Sequence, residues 1–268
     1  MEDVITEIPP PSRFFEEDLN NFTSPSPPLP SPFLSFSESH QQPLRPSLLV
    51  IALSSPSLYL FHNFPSKTLI GSLVLPEIPF SGNSVEPSLT DNSCNIYALC
   101  DGDRRDSTLV VSVQCPVSAE RSHSVAKQLI GGWIVPERVL VLDSVRIQNY
   151  RGRLSSDEAF ALKLETSAER KREIGGKLLK GLEYYPSGSV VDGLGAALLA
   201  RSQMLNIRGS LCVSWPEFDA SVVSLIKGLL QSDVLPGLEL SLSGGKIDQL
   251  PLKFGRSKDH LIESELYT

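Results

Sequence analysis

Ten of the chain's 21 prolines fall before Ser47: Pro9, Pro10, Pro11, Pro25, Pro27, Pro28, Pro30, Pro32, Pro43 and Pro46. Each removes a backbone donor and fixes φ near the polyproline II value, so neither helix nor sheet propagates readily through such a stretch. Serine alternates with proline in Ser24-Pro25-Ser26-Pro27-Pro28 and again in Ser31-Pro32. Residues 1–46 therefore read as a disordered Pro/Ser-rich head. Its apolar islands, Phe14-Phe15 and then Phe33, Leu34 and Phe36, are able to pack on the domain or on a partner. The Ser-Pro dipeptides are candidate kinase sites. Beyond Ser47 the texture changes. The whole chain is 41% hydrophobic and 21% charged over 268 residues, enough to bury a full core.

Several function classes are set aside early. A net charge of −7 gives no basic field for nucleic acid. The longest pure apolar run, Leu48–Leu53, is far short of the roughly 20 residues that cross a bilayer. Glu2, Asp3, Glu7, Glu16, Glu17 and Asp18 crowd the first twenty positions, unlike a secretory signal or an organelle transit peptide. The expectation is a soluble protein of the cytoplasm and nucleus, with no nucleic acid and no membrane as partner. Cys94, Cys100, Cys115 and Cys212 lack metal-ligand spacing and read as buried free thiols. His40, His62, His123 and His260 are scattered. No metal and no cofactor is expected.

Periodicity gives an element order. Leu48–Leu53 reads as a buried strand, Ser55-Pro56-Ser57 as a break, and Leu58-Tyr59-Leu60-Phe61 as a second strand. Lys67–Leu75 reads as a third. A loop runs from Pro76 to Ser93. Asn95–Cys100 and Thr108–Gln114 flank an Asp-Gly turn signal and predict a hairpin. A helix is predicted over Ser118–Gly131, capped by Ser118. Arg138–Leu142 reads as a buried central strand. Val145–Ser187 is barely legible. A helix capped by Ser189 places Val190, Leu194, Ala197, Leu198 and Leu205 on one face; Ile207–Trp215 comes next as a strand. Ser214 and Glu217 suggest a capping box for a last helix bearing Phe218, Val222, Leu225, Ile226, Leu229 and Leu230. This alternation predicts one α/β domain over residues 47–255, a mixed sheet with flanking helices, and a C-terminal tail over 256–268.

Chemistry is hard to find. There is no Gly-x-Ser-x-Gly elbow and no Walker-type phosphate loop. Asp192-Gly193-Leu194-Gly195 holds a lone Gly-x-Gly inside a helical pattern, which reads as close helix packing. Asp143 ends an apolar strand, where open α/β sheets hold ligands, and is the candidate best placed for chemistry, against the favoured reading of a turn or helix-cap aspartate. Trp133 and Trp215 read as core anchors. The helices over 118–131 and 217–231 are candidate partner surfaces, although both are equally suited to covering the sheet.

The last three residues, Leu266-Tyr267-Thr268, form a hydrophobic-Tyr-any terminus. Composition alone yields such an ending in about one chain in a hundred. Here it ends a polar arm (Ser257, Lys258, Asp259, His260, Glu263, Ser264, Glu265), as a presented C-terminal recognition element would.

From about Ser47 onward the chain resembles the proteasome assembly chaperone 1 family, in a plant-like version. The resemblance is carried by Leu49-Val50-Ile51-Ala52-Leu53 with Ser57–Phe61, by Val190-Val191-Asp192-Gly193-Leu194-Gly195-Ala196-Ala197-Leu198-Leu199, by Leu211-Cys212-Val213-Ser214-Trp215 and by the Leu266-Tyr267-Thr268 terminus. It implies a fold similar to nucleoside phosphorylases and hydrolases, without their catalytic residues. It also implies a heterodimer with proteasome assembly chaperone 2. That dimer sits on the α-subunit ring of the 20S core particle, promotes its assembly and prevents off-pathway association. By the same resemblance, the three terminal residues enter a pocket between α subunits: Leu266 fills an apolar slot, Tyr267 packs and hydrogen-bonds, and Thr268 supplies the carboxylate. Two rival readings compete with it. One is a nucleoside phosphorylase- or hydrolase-like enzyme using Asp143. The other is a scaffold whose Ser-Pro head binds aromatic-lined grooves.

Overall fold

The apolar run after Ser47 becomes the middle of the molecule. In the computed structural model, which describes residues 28–37, 42–99, 108–154, 158–171 and 177–236, Leu48–Ala52 is strand β2 and every residue in it is buried. It pairs in parallel with Thr108–Val113 (β5) on one side and Arg138–Ser144 (β6) on the other. A strand flanked this way has no solvent face, which is why its sequence is continuously apolar rather than alternating. Arg208–Trp215 (β9) extends the parallel block beyond β6.

Antiparallel strands finish both ends of the sheet. Cys94–Leu99 (β4) pairs with β5, Lys67–Val74 (β3) with β4, and Phe33–Phe36 (β1) with β3. Beyond β9 lie Phe160–Glu165 (β7), antiparallel, and the two-residue Glu183–Tyr184 (β8). Among the described residues the sheet has nine strands in the order β1-β3-β4-β5-β2-β6-β9-β7-β8.

Helices cover both faces. On one, Val125, Ala126 and Leu129 of α2 (Ala119–Leu129) and Leu194 and Leu198 of α4 (Gly193–Met204) pack over Leu49, Ile51, Val111, Val141 and Leu211. On the other, Leu58, Tyr59 and Phe61 of α1 (Ser55–His62) and Val222, Val223 and Ile226 of α5 (Ala220–Leu229) pack over Val50, Ala52, Leu140 and Cys212. A short helix α3 (Ser167–Arg170) comes after β7, and a π-helical turn, Leu230–Val234, extends α5. Alternate residues of β2 thus feed two cores, each large side chain contributing about 1.5–3 kcal/mol by burial.

The expected α/β domain with a mixed sheet and flanking helices is present. The strands expected at Leu48, Lys67, Asn95, Thr108, Arg138 and Ile207 form, as does the helix from Ser118. Cys94, Cys115 and Cys212 are buried free thiols, while Cys100 lies outside the described residues. Leu58–Phe61, however, is helical, not a strand. Pro56 occupies the first turn of α1, where proline lacks no partner, so the dipeptide starts the element instead of breaking the chain. Its four apolar residues are all buried, which erases the periodicity that separates helix from strand. Lys67 Nζ donates to the Phe61 and His62 carbonyls at the end of this helix.

Other expectations shift. α4 begins at Gly193 after Asp192, and the Ser189 hydroxyl instead accepts from the Arg151 amide at 2.8 Å. α5 is capped by Asp219, whose Oδ2 accepts from the Ser221 amide at 3.1 Å; Ser214 belongs to β9. Trp133 is 47% exposed and does not anchor the core, whereas Trp215 packs partly buried against it. Within the region expected to be a disordered head through residue 46, Phe33–Phe36 forms β1, its islands Leu34 and Phe36 packing on the domain, and Leu44 makes a parallel bridge to Ile134. Residues 1–27 and 237–268 lie outside the described residues.

Ile51 sits at the crossing of sheet and helices with no exposed surface. Ile51→Ala is expected to lower unfolding free energy by about 2–5 kcal/mol in urea titrations; a loss below about 1 kcal/mol would mean the centre is loosely packed.

Candidate functional site

The three residues that the sequence singles out for partner binding, Leu266, Tyr267 and Thr268, lie outside the described residues. The other candidate, Asp143, is the penultimate residue of β6. Its strand is central and parallel, so the carboxyl emerges at the sheet's carboxyl rim.

The local chain holds it there by short-range and long-range contacts together. Asp143 Oδ1 accepts from the Ser144 amide at 2.8 Å. A Cβ built on Gly195 would overlap Asp143 Oδ2, so a side chain at 195 would push the Asp143 carboxylate from its place. Gly193, at φ +62°, lies against the Arg146 guanidinium. The Gly-x-Gly is thus a packing device, as its helical context indicated. Burial pushes the Asp143 carboxyl up to about 6; the Ser144 amide and Arg146 pull it down, and Asp192 adds to the rise.

Around Asp143 the rim is tied by residues far apart in sequence. Arg146 pairs with Asp192 at 3.1 Å. Asn149 Nδ2 donates to the other Asp192 oxygen at 2.8 Å, and the Val190 amide donates to the Asn149 carbonyl at 2.9 Å. Tyr150 stacks obliquely on Tyr185 and Phe160, with ring centroids 5.7 and 5.9 Å away. Burial, then Tyr150, Asp192 and Asp143, push the Tyr185 phenol upward. Two apolar side chains stand out from this knot: Ile147 is 64% exposed and Val190 58%. Sequence reading misses Asn149, Tyr150 and Tyr185, and no spacing signal joins segments some forty residues apart.

A carboxylic acid near pH 6 is poised for proton transfer, but a reaction also needs a partner group and room for a substrate. The knot around Asp143 is made of self-satisfying pairs. His62 belongs to α1 and His123 to α2, and neither enters it. Among the described residues no group of three His, Cys, Asp or Glu converges to hold a metal. A shallow open cleft of about 350 Å³ lies elsewhere, lined by Glu165, Ser167, Arg170, Lys171 and Gln203. Its wall is an ionic brace. Lys163 Nζ lies 3.0 Å from Glu165 Oε1 and 2.9 Å from the Leu179 carbonyl, while the Tyr184 hydroxyl donates to Glu165 Oε2 at 2.7 Å. Burial raises the Glu165 carboxyl, but the bonds from Tyr184 and Lys163 outweigh it and hold it low. Glu169, buried, joins Arg208 at 2.7 Å and the Leu178 amide at 2.8 Å. These groups fasten β8 and the Leu178–Leu179 turn to the sheet edge. The geometry offers a rim for surface recognition and no assembled catalytic constellation among the described residues.

The helices expected as candidate partner surfaces, 118–131 and 217–231, spend their apolar faces on the sheet through Val125, Leu129, Val222 and Ile226.

The Asp143 environment makes a pH prediction. A carboxyl raised from its usual 3.8 to about 6 binds more protons folded than unfolded between those values. Stability therefore falls as pH rises from about 4 to about 6, by about 3 kcal/mol in total, and then levels. Asp143→Asn keeps the acceptor for the Ser144 amide and removes the penalty. It is expected to melt higher than wild type at pH 7.5 and to lose that slope; an unchanged slope would place the penalty elsewhere.

No family model and no curated protein matches the chain. Solved structures do. Pyrococcus furiosus PbaA in a monoclinic form, an archaeal homolog of proteasome-assembly chaperone, is similar at TM-score 0.54 and 14% identity, covering 80% of this chain and 85% of its own. Pyrococcus furiosus PbaB, an archaeal proteasome activator, is similar at TM-score 0.50 and 13% identity, covering 75% and 88%. This chain has the fold seen in these archaeal proteins, a single α/β domain built on a mixed sheet.

Proposed function

We propose that this chain is a proteasome assembly chaperone of the chaperone 1 type, in its plant-like version. It acts as a heterodimer with proteasome assembly chaperone 2 on the α-subunit ring of the 20S core particle, in the cytoplasm and nucleus, and it is not an enzyme. The observation that carries this reading is the conjunction of a fold similar to PbaA over 80% of the chain with a Leu266-Tyr267-Thr268 terminus. Fold alone is compatible with many activities, and the tripeptide alone is common; together they are restrictive.

The magnitudes suit a chaperone that must leave. Burying Leu266 contributes about 1.5–3 kcal/mol, and Tyr267 a similar amount. A charge-assisted bond to the Thr268 carboxylate adds about 1.5–3 kcal/mol. After ordering costs, the tail alone binds in the millimolar to micromolar range. Contacts from the body, for which Ile147 and Val190 are the exposed apolar residues at the carboxyl rim, raise this through effective concentration.

Deleting Leu266–Thr268 is expected to weaken binding to isolated α-subunit rings at least tenfold, measured by surface plasmon resonance. The melting temperature and the dimer with the second chaperone should not move. Ring binding that survives the deletion unchanged would remove the tail from the mechanism.

A further inference from the structure

The ends of two helices bring apolar side chains to the surface at one end of the sheet. α2 closes at Leu129 and α4 at Met204, each shortly before a central strand. Arg138 and Arg208, the first residues of β6 and β9, are register partners. Both turns therefore lie at the amino rim, opposite Asp143. Each passes through a residue in the left-handed region, Gly131 at φ +93° and Asn206 at φ +54°. The turns touch: Arg201 Nε donates to the Ile130 carbonyl at 3.1 Å, and a Cβ built on Gly131 would lie 2.6 Å from Leu205 Cδ1. Trp133, Met204 and Leu205 stand out here, Met204 at 69% exposure and Leu205 at 39%. Aromatic residues and methionine are the types that interfaces concentrate, and an exposed cluster of them marks a contact surface.

Cations surround the cluster. Arg201 and the exposed Lys127 belong to the last turns of α4 and α2. The exposed Arg45 comes after Leu44, whose amide donates to the Trp133 carbonyl at 2.8 Å. Against these three stands one exposed acid of the same stretch, Glu137. A complementary occupant is therefore apolar and acidic.

The chain carries such a segment within reach. α5 and its π-helical turn run back from the carboxyl end of β9 along the other face. Asp233 accepts from the Lys180 amide at 3.0 Å, two residues beyond Leu178, whose amide meets Glu169 and through it Arg208 at the start of β9. The last described residue, Pro236, thus lies toward the amino rim. Leu238–Leu242 follows it too closely to cross from one helix layer to the other. Leu250, Leu252 and Phe254 stand beside Lys253 and Arg256, which have the rim's own sign. Leu261 and Ile262 stand among Asp259, Glu263 and Glu265. Leu261 comes about 25 residues after Pro236; a Gly/Ser-type linker of that length has an r.m.s. span of about 28 Å, against roughly 20 Å between two helix layers on one sheet.

We propose that the amino rim is a docking surface for the chain's own segment 259–265. Leu261 and Ile262 cover Trp133, Met204 and Leu205, while Asp259, Glu263 and Glu265 face Lys127, Arg201 and Arg45. Tethering at an effective concentration on the order of millimolar lets so short a contact hold. Residues 266–268 stay outside it. The proposal is independent of the proteasome reading, and its test contains no proteasome component.

The test uses the full chain. Trp133 and Trp215 are its two tryptophans, so Trp215→Phe leaves Trp133 as the sole reporter. In that background Leu261→Asp/Ile262→Asp is expected to raise the acrylamide quenching constant of Trp133 at least twofold. Lys127→Glu is expected to raise it as well, and adding Glu263→Lys to bring it back down. A quenching constant unmoved by Leu261→Asp/Ile262→Asp would overturn the proposal: a shielded Trp133 would then have another occupant, and an open one none. Carbodiimide cross-linking of the chain with both tryptophans in place decides independently of the Trp215→Phe background. Mixed light and isotope-labelled copies are peptide-mapped by mass spectrometry. Lys127 is expected to join Asp259, Glu263 or Glu265 within one copy. Its joining only between copies, or joining none of the three, would contradict docking of the chain's own segment.

Discussion

Everything in this molecule depends on β2 being buried on both faces. Five consecutive apolar residues, Leu48–Ala52, lie between two parallel neighbours, and each neighbour must be fed by a crossover connection. A parallel block of this kind is stable only with helices on both sides. The apolar faces of α1, α2, α4 and α5 are consumed in meeting that demand. The surfaces left for function are the rims at the two ends of the strands, the two sheet edges and the terminal segments. Among the described residues, neither a rim nor an edge is shaped as a deep pocket.

The carboxyl rim bears this out. A half-buried acid at the end of a central parallel strand would suit catalysis, yet Asp143 is hemmed in by its own neighbours. Gly195 brings α4 against it, the Ser144 amide binds it, and Arg146 is committed to Asp192. The same loops that lock the acid raise Ile147 and Val190 to the surface. Locked polar groups with exposed apolar neighbours suit adhesion to another protein better than turnover of a small molecule. At the far edge, the Lys163, Glu165, Tyr184 and Glu169, Arg208 brace has a comparable structural role, holding a two-residue strand that backbone pairing alone would not retain.

The legible parts of the sequence are those with one dominant physical cause. Continuous burial marks β2 and β6, and two β-type runs mark the antiparallel pair β4 and β5, while the Asp101-Gly102 turn signal between them lies outside the described residues. Failures come where two causes compete. Pro56 looks like a breaker because it comes after a strand, but the first turn of a helix accepts it. Phe33–Phe36 reads as part of the head because the flanking prolines dominate local composition; its strand exists only through Gly71, some 35 residues away. The Val145–Ser187 stretch is opaque because its order comes from pairings with β9 and from Lys163, Glu165 and Glu169, which leave no periodic trace. Asp143 is found by its position, while the neighbours that disarm it are not. The terminal tripeptide is visible only because it is a short linear feature whose reading requires no fold.

The function proposed for this α/β body and its tail is recognition of forming proteasomes. The most direct measurement is affinity purification of the full chain from its native cells, with mass-spectrometric identification of the proteins that co-purify in stoichiometric amounts. An assembly chaperone is expected to recover proteasome α subunits together with one second chaperone, and few mature core particles. Recovery of the chain without α subunits, under conditions that preserve assembly intermediates, would contradict that function.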